Sequence, residues 1–110
     1  MKVEQKGNTT IVKDTESSIS QFIEKLISQY STFKKYNLIL DVTHDKNMSI
    51  NALKEFTELT KLHKENSKSL IIVASEIDFN KVSAALQVVP SVLEAHDIIE
   101  MEEIERDLGF

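Results

Sequence analysis

The stretch Thr43-His44-Asp45-Lys46-Asn47-Met48-Ser49 places an imidazole, a carboxylate and a hydroxyl on one short loop. A hydroxyl nucleophile, a histidine base and an orienting acid are the groups of acyl-transfer chemistry, so this cluster is the first candidate for catalysis. Its closeness in sequence argues against that role. Triads draw their members from separate rigid elements and face donors for a developing oxyanion, whereas three neighbours on one loop share the same backbone freedom. Ser49 has a simpler task. It stands immediately before Ile50 and a helical run, where its hydroxyl can serve as the helix N-cap by accepting a bond from an unpaired backbone N–H.

His44, His63 and His96 lie far apart in the chain, and cysteine is absent. Several ligands must converge to hold zinc, and thiolate ligation is excluded, so no metal centre is expected. His63 falls on or beside a helix stripe and reads as a boundary residue packing its ring. His96, in "EAHDII", sits where a turn should lead into the last strand. The loops after the two central apolar runs contain no glycine, which argues against a backbone cradle for phosphate. Asp41 closes the run "LIL", a place for an acid facing a helix N-terminus or solvent. No cofactor is expected.

These residues need a frame. "KVEQK" and "TTIVK" read as strands near 2–6 and 9–13, separated by Gly7-Asn8, which suits a tight hairpin. In "SISQFIEKLISQYSTF", Ile19, Phe22, Ile23, Leu26, Ile27 and Tyr30 recur at helical spacing, and Ser18 followed by Gln21 is a capping-box start. "NLILDVT" and "SLIIVAS" are unbroken apolar runs, the pattern of strands buried on both faces. Between them, Leu53, Phe56, Leu59 and Leu62 or His63 form the stripe of a second long helix. Asp78 can cap a third helix with Val82, Ala85, Leu86 and Val89 inward, ended by Pro90. A short strand at 98–101 and an acidic helix at 102–108 complete the order β-β-α-β-α-β-α-β-α. The expected fold class is α/β, a mixed sheet of four to five strands with about four helices.

The 110 residues, 41% of them hydrophobic, suit one domain over 1–110 that buries roughly two-thirds of its unfolded surface. Neither a linker nor an internal repeat interrupts it. The net charge is -5, with acids gathered in "EAHDIIEMEEIERD" and no run of Lys or Arg. This balance argues against nucleic acid and anionic membranes as partners, because phosphate binding depends on clustered basic charge. "MKVEQKGNTT" lacks the apolar core of a signal peptide, and no apolar stretch approaches the ~20 residues needed to span a bilayer. A soluble, cytoplasmic protein is the simplest expectation.

Across nearly its whole length the pattern resembles the STAS domain, the fold of anti-sigma factor antagonists. In that family an apolar strand ending in Asp leads through a loop to an Asp-Ser-Ser/Thr-Gly-Leu element opening the next helix, and the first Ser is a phosphorylation switch. Aligned without gaps, Asp41 matches the strand-end Asp and Leu53 the helix Leu. Ser49 then falls on the motif Asp, Ile50 on the phosphorylated Ser, Asn51 on the second Ser and Ala52 on the Gly. The segments "SLIIVAS" and "LQVVPSVLEAHDIIEMEEIERDL" are similar to the following strand and the closing helix-turn-strand-helix. Moving Ser49 onto the switch position would rotate Leu53 and Phe56 by about 100° out of the helix face. The resemblance therefore implies a degenerate switch at Ile50, which cannot be phosphorylated, on a platform that the family uses to grip a partner.

The chain is also similar to short bacterial STAS-like chains that sometimes carry the label ribonuclease Z. That enzyme needs a His-x-His-x-Asp-His cluster on a much longer metallo-β-lactamase chain, and the cluster is absent here. The leading expectation is a non-enzymatic regulatory module that binds a protein through His44, Asp45, Lys46, Asn47, Ser49, Asn51 and Lys54. A small-ligand carrier for a lipid or nucleotide is the alternative, and a metal-dependent nuclease has the fewest residues behind it. Homodimerisation through a sheet edge or the last helix stays open.

Overall fold

Gly7 adopts φ +61°, the left-handed conformation that glycine takes without a steric penalty, and so turns the chain between β1 (Lys2–Lys6) and β2 (Thr9–Lys13). A computed structural model describes residues 1–46 and 48–109, which form one mixed five-stranded sheet in the order β1-β2-β3-β4-β5. β1 pairs antiparallel with β2, whereas β3 (Asn37–Asp41), β4 (Leu70–Val73) and β5 (Val88–Val89) continue from β2 in parallel. Val12 lies beside Leu40, and Leu40 beside Ile72.

Every residue of β3 and β4 is buried, as their unbroken apolar runs require of strands covered on both faces. On one face Val12, Leu38, Leu40, Leu70 and Ile72 pack beneath α1 (Ile19–Ser28), α2 (Tyr30–Phe33), α3 (Ile50–Leu53) and α4 (Thr57–Glu65). Phe22 and Phe56 meet edge to face across this layer, with centroids 6.3 Å apart and planes at 73°. On the other face Ile39, Ile71, Val73 and Val89 are covered by Ala95 and Ile99 of α5 (Val92–Asp107). β1 is exposed along its whole length and closes one sheet edge with alternating charged residues.

The α/β class is as expected; the first helix is interrupted at Gln29 between α1 and α2, and three later elements are placed differently. The second long helix is broken into α3, a 3₁₀ turn at Lys54–Phe56, and α4. Leu53, Phe56 and Leu59 recur at steps of three, which align along a 3₁₀ turn and drift around an α-helix. The stripe then ends on His63, which is fully buried, and Leu62 stays 44% exposed. The expected third helix is only a 3₁₀ turn at Phe79–Lys81 capped by Asp78; Ala85 is exposed, and Val88–Val89 form β5 instead. Residues 98–101 are no strand but the middle of α5, whose start is capped by Ser91. Ile27, placed inward by periodicity, is also exposed, one residue around the helix from buried Leu26. No helix of the described residues is long and apolar enough to cross a membrane.

Candidate functional site

Because β2 to β5 are parallel, their C-terminal ends share one edge, and the loops leaving it carry the N-caps Ser18, Ser49, Asp78 and Ser91. Within the described residues these strands lie in sequence order without a reversal, so the sheet lacks the topological switch point at which doubly wound folds open a ligand crevice. What this edge presents instead is a solvated loop and the start of a helix.

Asp41 builds the loop's first turn. Its Oδ1 accepts from the Thr43 backbone N–H at 3.0 Å and from the Thr43 hydroxyl at 2.6 Å, and the Asp45 N–H donates to the Val42 carbonyl at 3.1 Å. This acid is largely buried and caps its own loop, on the α5 side of the sheet beside Val92 at the start of that helix. At the far end Ser49 Oγ accepts from the Ala52 N–H at 3.0 Å, the bond expected of an N-cap. This bond orders the hydroxyl against the start of the helix.

Of the residues expected to grip a partner, His44, Lys46, Ser49, Asn51 and Lys54 are exposed and Asp45 is half-buried. Asn47 lies outside the described residues. Ile50 turns toward the interior and packs against the main core, with Ala52 beside it and Leu53 fully buried. Polar side chains thus alternate outward with apolar ones inward over the start of α3, and the surface contains two lysines and an imidazole.

Asp14, just past β2, escaped the sequence reading. Its N–H donates to the Asp41 carbonyl at 2.9 Å and its Oδ1 accepts from the Glu16 N–H at 3.0 Å. The second oxygen is buried with no hydrogen-bond partner among the described residues. Only its position two residues beyond a β-branched run could have marked it. Glu16 pairs with Lys25 at 2.8 Å, and the hydrogen bond from that ammonium group holds its carboxyl below the usual range.

The histidines do not converge. His63 sits at the opposite edge of the sheet, where its Nε2 bonds the Tyr36 carbonyl just before β3 at 2.7 Å. His96 is half-buried on α5, with Nε2 unpartnered among the described residues. Among those residues no three His, Cys, Asp or Glu side chains come together in a way that could hold a metal ion. No family model matches the chain, and no curated protein matches it. The functional reading therefore rests on the geometry of the loop and helix start.

The described surface also carries recesses, two of which adjoin apolar side chains. One, of about 530 Å³, runs between α1 and α4 over Ile23, Ile27, Leu59 and Leu62, with Glu58 and Lys61 at its margin. The other, of about 470 Å³, lies on the α5 side of the sheet among Lys2, Glu4, Ile11, Lys13, Asp41 and Val92.

Proposed function

We propose that the protein is a non-enzymatic, STAS-like interaction module of the cytoplasm, whose docking surface is the loop after β3 and the start of α3. One observation carries this reading: Ile50 turns into the core while His44, Lys46, Ser49, Asn51 and Lys54 remain solvated around it. An ordered strand end, a capped helix and outward polar groups make a preorganised surface, which loses little freedom when a partner binds. At the position where the STAS resemblance puts a phosphorylated serine, Ile50 contributes apolar packing. Partner binding through this surface is then constitutive, without a phosphate to repel the partner.

The test is quantitative recovery of partners from the protein's own cells, comparing the native chain with Lys46→Glu combined with Asn51→Arg. Both positions are exposed, so the substitutions reverse or add charge without opening the core. A partner retained by the native chain and depleted with the variant supports the reading; equal recovery contradicts it.

A small-ligand carrier is the second reading, supported by the recess where Ile11 and Val92 lie among Lys2, Lys13, Glu4 and Asp41. Its volume lies in the range of small-molecule sites, and its apolar wall is bordered by two lysines and two carboxylates that could orient a polar head group. Native mass spectrometry of freshly purified protein distinguishes it: a bound lipid or nucleotide mass supports a carrier, and a bare chain mass opposes one.

A further inference from the structure

The geometry points to a second docking surface, the outward face of α5, fitted to an amphipathic basic helix of a partner protein. At about 100° per residue, Leu93, Met101, Ile104 and Leu108 fall within about 80° of one another, opposite the Ala95 and Ile99 side that covers the sheet. They are 72%, 61%, 54% and 66% exposed, respectively. A helix with one face on a sheet ordinarily shows polar residues on the other, so a second apolar stripe on α5 calls for a covering partner. The stripe extends about 22 Å along the axis, long enough to seat four turns of a partner helix.

Charge selects the occupant. Glu94, Glu100 and Glu105 are exposed and flank the stripe, and exposed Asp97 lies within it, between Leu93 and Met101. The single Lys or Arg of α5, Arg106, turns inward, donating to Ser69 Oγ at 3.1 Å and to Asn37 Oδ1 at 3.4 Å. A second copy of this helix would oppose acid to acid, and an anionic lipid surface would be repelled. A helix with leucine-like residues along one face and Lys or Arg among and beside them satisfies the stripe, the Asp97 within it and its acidic border. The surface belongs to the face of the sheet opposite α3, so it is separate from the loop 44–54.

A fluorescently labelled peptide of two Leu-Lys-Lys-Leu-Leu-Lys-Leu repeats tests this by anisotropy, beside a scrambled peptide of the same composition. Binding of the ordered peptide should exceed that of the scrambled one by about ten-fold or more, and Met101→Gln with Ile104→Asn should weaken it by a similar factor. Both substituted residues are exposed, and an unchanged melting temperature shows that the variant is folded. Amide shifts in an NMR titration should be confined to 92–109. Lys46→Glu with Asn51→Arg should leave the affinity within about two-fold, because that surface lies elsewhere. Equal binding of the scrambled peptide, indifference to the α5 substitutions, or loss of affinity in the loop variant overturns the assignment. A dimer in sedimentation that Met101→Gln with Ile104→Asn dissociates also overturns it, in favour of a second copy.

Discussion

Tyr30 and His63 are bonded through the phenol oxygen and Nδ1 at 2.7 Å, with their rings edge to face at 77°. The other ring nitrogen, Nε2, meets the Tyr36 carbonyl at 2.7 Å, and because a carbonyl only accepts, Nε2 carries the hydrogen. Burial lowers the His63 pKa from 6.5, against the opposing bond to Tyr36 and with help from Lys68 and Arg106. The neutral ring therefore accepts at Nδ1 from Tyr30, whose own oxygen receives a bond from Asn66 Nδ2 at 2.9 Å. Burial raises the Tyr30 pKa, which keeps the phenol a donor. This histidine, a candidate for chemistry by its type, is occupied on both nitrogens in joining α1–α2, α4 and β3.

The pH dependence of stability follows from that shift. A folded-state pKa below the unfolded value means that the unfolded chain binds more protons between the two, so the contribution of His63 is present above about 6.5 and declines as pH falls toward the folded value. Urea titrations at pH 7.5, 6.5 and 5.5 should show this decline, and His63→Gln should flatten it. Tyr30→Phe leaves Nδ1 without its donor and should cost about 1–2 kcal/mol at pH 7.5.

Asn37 joins the start of β3 to β4 and α5. Its Oδ1 accepts from the Ser69 N–H at 2.9 Å and from Arg106, and Ser69 Oγ donates to Glu102 at 2.6 Å. Asn37→Leu keeps comparable bulk but strands a buried N–H, and should destabilise by about 1–3 kcal/mol in chemical denaturation. Hydrogen exchange in this variant should quicken at 102–108, where α5 loses a tether.

Ser49→Ala should cost about 1 kcal/mol through the lost N-cap, whereas Ser49→Asp should stay within a few tenths, since an aspartate also caps. Thermal melts of the two variants check the difference. A much larger loss for Ser49→Asp would show that the hydroxyl does more than cap.

Phe56→Ala should lose about 3–5 kcal/mol, because Phe56 is fully buried and its partner Phe22 would border the resulting cavity. Chemical denaturation measures the loss, which should exceed that of Leu62→Ala, whose side chain is 44% exposed.

The sheet was legible where a single signal dominated. "LILD" and "LIIV" are too apolar for any place but the centre of a sheet, and Gly7 marks the hairpin it makes. Errors arose where two periods compete over few residues. Val82, Leu86 and Val89 satisfy a helical spacing, yet Val88–Val89 gain more by extending the sheet, as shown by the bonds from Ile72 N–H to the Gln87 carbonyl and from Ala74 N–H to the Val89 carbonyl. Ile98 and Ile99 suggested a strand through their β-branched side chains, while Ser91 with Glu94 three residues later, a capping box opening a helix, was the stronger signal. At the candidate site the cap at Ser49 could be read from its place before a helical run, while the inward turn of Ile50 emerges only in the packing of α3 on the core. The Asp41 turn and the orphaned oxygen of Asp14 could not, because they depend on two adjacent strands ending side by side. Tertiary networks such as Tyr30–His63–Tyr36 leave no local pattern to detect.

The central claim is that the loop after β3 and the start of α3 bind a protein partner. Calorimetric titration of a recovered partner into native protein and into Lys46→Glu with Asn51→Arg tests it most directly, with matched melting temperatures showing that both are folded. The affinity should be lower by about ten-fold or more in the variant, the effect of placing charge within a docking surface. An affinity equal to that of the native chain would contradict it.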